Sequence, residues 1–181
     1  MPTDRESAAF SVTIIDEQDL GATHLATASG LLADAFEHVG DVYRERGWRT
    51  LRPAFRIICE TDGQLVGQVS AFDLDCQPEL EAIGLGDGVV ASTVQRNGVL
   101  RLMMLAAIEE CGRRQAEFIV TSTKHSHVGR LIADLGFIKQ APFTVYAESQ
   151  VACTTRSTWW ALGLDPNARS LPRVKLDVEV F

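Results

Sequence analysis

The chain has 181 residues, 46% of them apolar, and a formal net charge of −7. That length points to one domain with a sizeable core. The acidic balance, without a basic block, argues against nucleic-acid binding, which needs a positive footprint, and leaves room for an amine-bearing partner.

The four cysteines, Cys59, Cys76, Cys111 and Cys153, are widely spaced with no CxxC pair, so no metal site is expected. Cys59 and Cys111 sit in apolar patterns and read as reduced, buried side chains. No apolar run is long enough to span a membrane, and residues 1–9 are polar and lack a signal-peptide core. The chain reads as cytoplasmic.

Residues 1–9 read as a flexible arm. Residues 10–15 alternate as a first strand, with Val12 and Ile14 on one face. Asp16 reads as a helix N-cap, with Asp19 in the place of a capping-box acid. Leu20, Leu25, Ala28, Leu31, Leu32, Ala35 and Phe36 follow at helical spacing, and Gly40 is the expected stop. His24 is expected to face solvent and His38 to complement the helix dipole. A second helix covers residues 41–48 and ends near Gly47.

Residues 54–60 read as a strand. Asp62-Gly63 supplies the positive φ angles of a hairpin turn, and the return strand covers 65–72, with Gly67 marking a bulge. A polar excursion over 74–79 precedes a strand over 80–91. That strand carries Gly84, Gly86 and Gly88 around Leu85 and Asp87. Glycine weakens a strand interior unless there is a bulge or something packs closely against the backbone.

The helix over 98–111 is the clearest in the chain. Val99, Leu102, Met103, Ala106 and Ile108 make its expected buried stripe, with Gly112 at its C′ position and Arg113 and Arg114 near the negative dipole end. A strand over 117–121, a helix over 126–135 closed by Gly136, and a strand centred on Phe143, Val145 and Tyr146 follow. Beyond Gln150 the pattern weakens until Val174, Leu176, Val178 and Val180 alternate as a terminal strand. The order β-α-α-β-β-β-α-β-α-β-β predicts an α/β (α+β) fold, a mixed sheet with helices packed on it.

The junction at residues 90–98, where a strand ends in a polar turn and an apolar helix begins, aims several main-chain N–H groups and the positive helix end at one spot. Such a spot suits a phosphate or pyrophosphate. The turn lacks the Gly-Lys-Ser/Thr ending of a P-loop and the spaced glycines of a dinucleotide fold.

The turn reads Gln95-Arg96-Asn97-Gly98-Val99-Leu100, and downstream stands Leu131-Ile132-Ala133-Asp134-Leu135-Gly136-Phe137. Through these stretches and the order of elements from Phe10 to Tyr146, the chain resembles the GNAT superfamily of N-acyltransferases. That family's signature places Arg or Gln, two residues, Gly, one residue, then Gly or Ala at a strand-to-helix turn. Gln95 and Gly98 match. Leu100 departs from the small last position, and Ser92 stands where a proline is usual. Arg52-Pro53-Ala54-Phe55-Arg56-Ile57, Gly84-Leu85-Gly86-Asp87-Gly88-Val89 and His127-Val128-Gly129-Arg130-Leu131 are similar to strings of the nodulation-factor N-acyltransferases, which move a fatty acyl group from a carrier protein to an aminosugar. The central half also resembles the aminoglycoside 2′-N-acetyltransferases.

The resemblance implies a mostly antiparallel central sheet with helices on both faces and a splayed strand pair. It implies acetyl-CoA, another acyl-CoA or an acyl carrier protein as donor, a small-molecule primary amine such as an aminosugar as acceptor, and a homodimer. Gln95, Arg96, Asn97, Gly98, Val99 and Leu100 would hold the diphosphate, with Ser126 touching the cofactor. Ser122 and Thr123 either bind cofactor or cap. A main-chain N–H near Val89 or Val90 would polarise the thioester carbonyl.

Asp87, a carboxylate among glycines at the centre of the cleft, is the first candidate base, and Glu81 the second. The family's tyrosine acid falls on Ile132, so that acid is missing; His125 and His127 are the candidate substitutes, His125 standing where the family usually has asparagine. Trp48, Trp159 and Trp160 either stack on an acceptor ring or serve as core or dimer-contact aromatics. A second reading is an acyl-CoA-binding regulator of the same fold without catalysis.

Overall fold

A computed structural model describes residues 9–49, 51–74, 76–77, 81–140, 146–147, 150–151, 158–164 and 175–176. In chain order its elements are β1 (Ser11–Asp16), α1 (Ala22–Ala35), α2 (Gly40–Arg46), β2 (Phe55–Thr61), β3 (Gln64–Leu74), β4 (Cys76–Gln77), β5 (Ala82–Val90), α3 (Val99–Arg113), β6 (Phe118–Thr123), α4 (Ser126–Asp134), β7 (Ile138–Lys139), β8 (Tyr146–Ala147), β9 (Gln150–Val151), β10 (Thr158–Gly163) and β11 (Lys175–Leu176). Seven strands form one sheet in the order β1-β2-β3-β5-β6-β10-β7. Its pairs are antiparallel except β5–β6, which is parallel. This is the mixed α/β architecture that the order of elements predicts.

Strand alternation sends neighbouring side chains to opposite faces. Phe55, Ile57 and Cys59 of β2 therefore join Val99, Met103, Ala107 and Cys111 of α3 in one buried cluster. On the other face Ile58 meets Ala28 of α1, and Val89 of β5 meets Leu32, Ala33 and Tyr43 of α1 and α2. Gly67 lets α3 lie close to the sheet: a Cβ there would meet Met103 Cε at 3.1 Å and the Val89 carbonyl oxygen at 3.1 Å. The β2–β3 register slips between Cys59 and Glu60, beside that glycine, as the sequence predicts for a bulge. The hairpin turn at Asp62 (φ 50) and Gly63 (φ 71) is also as predicted.

Several boundaries differ from the sequence reading. α1 begins at Ala22, not after Asp16, because residues 17–19 form a separate 3₁₀ turn. There the Glu17 N–H donates to the Ala54 carbonyl, and the Glu17 side chain turns into the interior. Asp16 makes no cap and pairs with Arg114 instead. Gly40 opens α2 instead of ending α1, packed so closely that a Cβ would lie 2.9 Å from the Ala33 carbonyl oxygen. His24 does not simply face solvent, since its Nε2 lies 3.2 Å from Glu60 Oε1.

In α3 the buried stripe is Val99, Met103, Met104, Ala107, Glu110 and Cys111. Leu102, assigned inward from sequence, is 42% exposed because it lies roughly 100° around the helix from Met103. Gly112 falls inside the last turn, and Gln115 (φ 63) supplies the left-handed residue that Gly112 was expected to supply. β10 was missed altogether, although it pairs with both β6 and β7. Phe143 and Val145 lie outside the described residues, as do Val174, Val178 and Val180; Leu176 lies in β11, which pairs with β4. Among the described residues, no helix is long and apolar enough to cross a membrane, and no group of side chains is placed to hold a metal ion.

One residue of β2 is buried yet charged. Arg56 is fully enclosed, and every polar edge of its guanidinium is used. Nε donates to Glu17 Oε2 at 2.6 Å and Nη2 to Glu17 Oε1 at 3.0 Å. Nη1 donates to Gln68 Oε1 at 2.9 Å, and Nη2 also reaches the Gly47 carbonyl at 3.0 Å. Removing one partner of such a buried pair leaves an uncompensated charge and costs about 3–5 kcal/mol, whereas replacing both with apolar groups is far milder. Arg56→Met should therefore lower the urea-unfolding free energy by about that amount, and Glu17→Met/Arg56→Met should recover much of the loss.

At the far end of α3, Glu110 is clasped by Arg113 and Arg114, whose Arg114 guanidinium also stacks 4.1 Å from the Phe55 ring. The Arg113 hydrogen bond, with help from Arg114 and against burial, lowers the Glu110 carboxyl to about 2. A carboxyl depressed on folding contributes stability above its unfolded value and loses it as the pH falls toward its folded value. The unfolding midpoint should thus fall between roughly pH 4.5 and 2, and Glu110→Gln should flatten that fall.

Candidate functional site

The parallel pairing of β5 with β6 runs from Ala82 with Phe118 to Leu85 with Thr121 and then stops. At the fork Thr121 Oγ1 donates to the Leu85 carbonyl at 2.9 Å. Beyond it β5 stays bonded only to β3. Here the β3–β5 register slips: Ser70 faces Gly86 while Gln68 faces Val89, so β5 carries one extra residue. That bulge centres on Asp87, whose φ is 47. An extra, left-handed residue turns the strand, which opens the gap.

The glycine run has a packing cause. A Cβ on Gly84 would meet Leu74 side-chain atoms at 3.1 Å, and one on Gly86 would meet Phe72 Cε2 at 3.2 Å. Cross-strand side chains, not open space, occupy those positions.

The gap leads to the turn before α3. The Ala91 N–H donates to the Val66 carbonyl on β3. Hydrogen-bonding direction alternates along an antiparallel strand, so the polar groups of Val90 point to the other edge, toward the gap. The Val90 carbonyl is taken by Gln95 Nε2 at 3.1 Å, and its N–H is directed into the opening. Gln95 therefore stitches the turn with its side chain. Arg96 (φ 69) and Gly98 (φ 79) are both left-handed, and Gly98 precedes α3 with no side-chain cap. The first N–H groups of α3 keep no intrahelical acceptor. A Cβ on Gly98 would meet nothing within 4 Å, so this rim is open. Arg96 and Asn97 are exposed beside it, Val99 points into the core, and Leu100 packs partly against that core. An uncovered helix start after a forked strand pair fits an anionic group with an extended chain behind it.

On the α1–α2 face, Tyr43 Oη donates to Asp87 Oδ1 at 2.6 Å. Gln68 Nε2 donates to the Asp87 carbonyl at 3.3 Å, and the same Gln68 is held by Arg56. Burial pushes the Asp87 carboxyl above its ordinary value, opposed by the Tyr43 bond and by the charges of Arg56 and Arg49. Burial, with the Asp87 charge and hydrogen bond, raises the Tyr43 phenol. Asp87 thus combines proton affinity with a fixed position.

The remaining predicted residues are spread out. Glu81 is exposed just before β5, and its N–H donates to Glu117 Oε2 at 3.1 Å. Six residues of extended chain, roughly 20 Å, separate it from Asp87, so the two are not brought together. His125 stands at the N-cap of α4, its N–H donating to Thr123 Oγ1, and His127 follows in the first turn. Both are exposed, with ring centroids 5.7 Å apart. Ile132 is buried in the core.

His125 and Ser126 line a cavity of about 350 Å³ with Lys124, Arg130, Lys139 and Trp160; no described residue of β5 or α3 lines it. Trp160 packs over Gly129 of α4, and Trp159 is buried. Trp48 lies beside the Arg52 guanidinium, 5.8 Å from its ring centre.

Sequence reasoning missed Tyr43, Gln68, Arg56 and Glu17. A signal existed for two of them. Arg56 interrupts the apolar strand Phe55–Ile58, and Gln68 interrupts Leu65–Phe72, and a polar residue in a doubly covered strand needs an internal partner.

A family model described as an acetyltransferase (GNAT) domain matches residues 18–125. Among solved structures, the chain is similar to the GNAT family N-acetyltransferase YhbS from Escherichia coli in complex with CoA, with 17% identity and a TM-score of 0.69 over 94% of this chain and 91% of that one. It is similar to an aminoglycoside 6′-acetyltransferase type Ii, with 19% identity and a TM-score of 0.65 over 86% and 98%. It is also similar to an acyl-CoA N-acyltransferase from Pseudomonas aeruginosa, with 17% identity and a TM-score of 0.61 over 84% and 99%. At these identities the similarity shows the fold. No curated protein matches the sequence.

Gly98 offers a local test of the turn. Its φ of 79 disfavours any residue with a Cβ by about 1–2 kcal/mol, and no neighbour adds a clash. Gly98→Ala should lower unfolding free energy in urea by about that amount and no more.

Proposed function

This chain belongs to the GNAT acetyltransferase family, and on that premise we propose that it moves an acetyl or longer acyl group from coenzyme A to a primary amine of a small molecule by direct attack. The observation that carries the proposal is the fork between β5 and β6 running into the uncapped start of α3. A pantetheine arm would lie in the gap, and its diphosphate would meet the N–H groups from Gly98 onward, with Arg96 adding charge. A similar structure was solved in complex with CoA, which supports the same use of the fold here.

The proposed chemistry needs no covalent acyl-enzyme. An acceptor ammonium gives a proton to the Asp87 carboxylate, and the freed amine nitrogen attacks the thioester carbon. The Val90 N–H donates to the oxygen on which negative charge develops. The C–S bond then breaks as the nitrogen gives up its second proton to water, which leaves a neutral amide, and the leaving sulfur takes a proton from His127 or His125 at the mouth of α4, or from water. Asp87 is preferred to Glu81 because it lies at the fork. An aminosugar is the proposed acceptor, on the resemblance of three strings to nodulation-factor enzymes and of the central half to the 2′-acetyltransferases; an acyl carrier protein is the alternative donor. A second reading, an acyl-CoA-binding regulator, is favoured by the buried Ile132 at the position of the family's acid.

Calorimetric titration with acetyl-CoA and longer acyl-CoAs tests the donor site; binding no tighter than millimolar would sink it. An amine panel followed by thiol release separates enzyme from regulator. Asp87→Asn should lower kcat/KM by about 10²–10⁴-fold while CoA affinity holds, and unchanged turnover in Asp87→Asn would remove Asp87 from the mechanism.

A further inference from the structure

Resting on Asp87 as the base, we propose that Tyr43 is the residue that positions it: the phenol of α2 clamps one carboxylate oxygen and leaves the other to take the acceptor's proton. The geometry is specific. Tyr43 is 2% exposed, its ring lies 5.6 Å from that of Phe36, and its hydroxyl reaches Asp87 Oδ1 at 2.6 Å. The second carboxylate oxygen has no hydrogen-bond partner among the described residues. A core tyrosine satisfied for packing alone needs only a carbonyl acceptor. Here it meets a carboxylate on a strained, left-handed bulge residue at the edge of an open gap, where burial acts against the charge.

The clamp is itself anchored. α2 ends at Gly47, whose carbonyl accepts from Arg56, and a Cβ at Gly47 would meet Leu25 Cδ1 at 2.7 Å. Arg56 also holds Gln68, and Gln68 holds the Asp87 carbonyl. One buried guanidinium thus fixes both the helix that carries the clamp and the bulge that carries the base. The charged and titratable groups that act on Asp87 are Tyr43 of α2, Arg49 just beyond α2 and Arg56 of β2, the last already paired with Glu17.

The sign of the effect follows. A hydrogen bond to the ionised carboxylate favours that form and lowers its pKa. In this reaction Asp87 must be ionised to take a proton, so its pKa sets the acid limb of kcat/KM. Tyr43→Phe removes only the hydroxyl and should move that limb upward by roughly one pH unit, a loss of about tenfold below the limb with much less above it. A difluorotyrosine at position 43, a stronger donor that keeps the packing, should move the limb downward. The carboxyl ¹³C shift of Asp87, titrated without substrate, should move with the limb in both variants.

An acid limb and a carboxyl titration that stay fixed in both variants would overturn the proposal, whatever happened to the plateau rate. That result is separable from failure of the base assignment. If Asp87→Asn leaves rate and limb unchanged, Asp87 is not the base; if it abolishes turnover while the Tyr43 variants leave the limb fixed, the clamp alone fails.

Discussion

A guanidinium buried against the sheet, on the strand next to its edge, sets the shape of one whole face of this molecule. Arg56 cannot lose its charge, so every donor must find an acceptor or the fold carries a desolvation penalty of several kcal/mol. The acceptors it takes are far apart in sequence: Glu17 before α1, Gly47 after α2 and Gln68 on β3. Each choice displaces something. Glu17 is drawn inward, so the chain coils there only into a 3₁₀ turn and α1 starts late. Gly47 is drawn down, so α2 lies against the sheet. Gln68 turns its amide to the Asp87 carbonyl, and the bulge sits where that contact is made.

The opposite face follows a different logic. There α3 packs mainly by apolar contact, with Met103 seated over Gly67, and a clasp of Asp16, Glu110 and Arg114 holds its far end. The bulge links the two faces. It is fixed from the polar side, and its turn parts β5 from β6, so that the strand leads to an uncovered helix start beside the apolar cluster. A gap set by backbone geometry is preorganised for an extended chain such as the proposed thioester arm.

This division explains what was legible in the sequence. The proposed donor side is written in backbone rules: Gln95 and Gly98 at a strand end, a helix of the right length, and Gly136 closing the next one. These rules are local, and the structure shows them in place. The other side depends on long-range partners. The capping signature at Asp16 is a sound local pattern, yet the pull of Arg56 on Glu17 overrides it. Tyr43 looks like an ordinary inward residue of a short helix, because nothing nearby in sequence announces Asp87. β10 was invisible for a related reason. Thr158–Gly163 lacks alternation because Trp159 and Trp160 are covered or half-covered on both faces. The glycine run was read correctly as a sign of close packing, but the packed groups are Leu74 and Phe72.

Two of the departures from the family pattern, Leu100 and Ile132, then acquire different weights. Leu100 packs against the core cluster, so its bulk is directed away from the turn and leaves the N–H groups of α3 uncovered. It alters the residue type at that position without closing the site. On the proposed reading Ile132 is a real loss, since a buried aliphatic side chain cannot donate a proton. That loss bears on the leaving sulfur, which departs as a stabilised anion and accepts a proton readily from water or an exposed histidine. The entering ammonium has no such alternative: without a base close to neutral pH, it stays protonated and cannot attack. On the proposed reading, the chain keeps its most elaborate buried network for the step that solvent performs worst, and it leaves to exposed residues the step that solvent performs well.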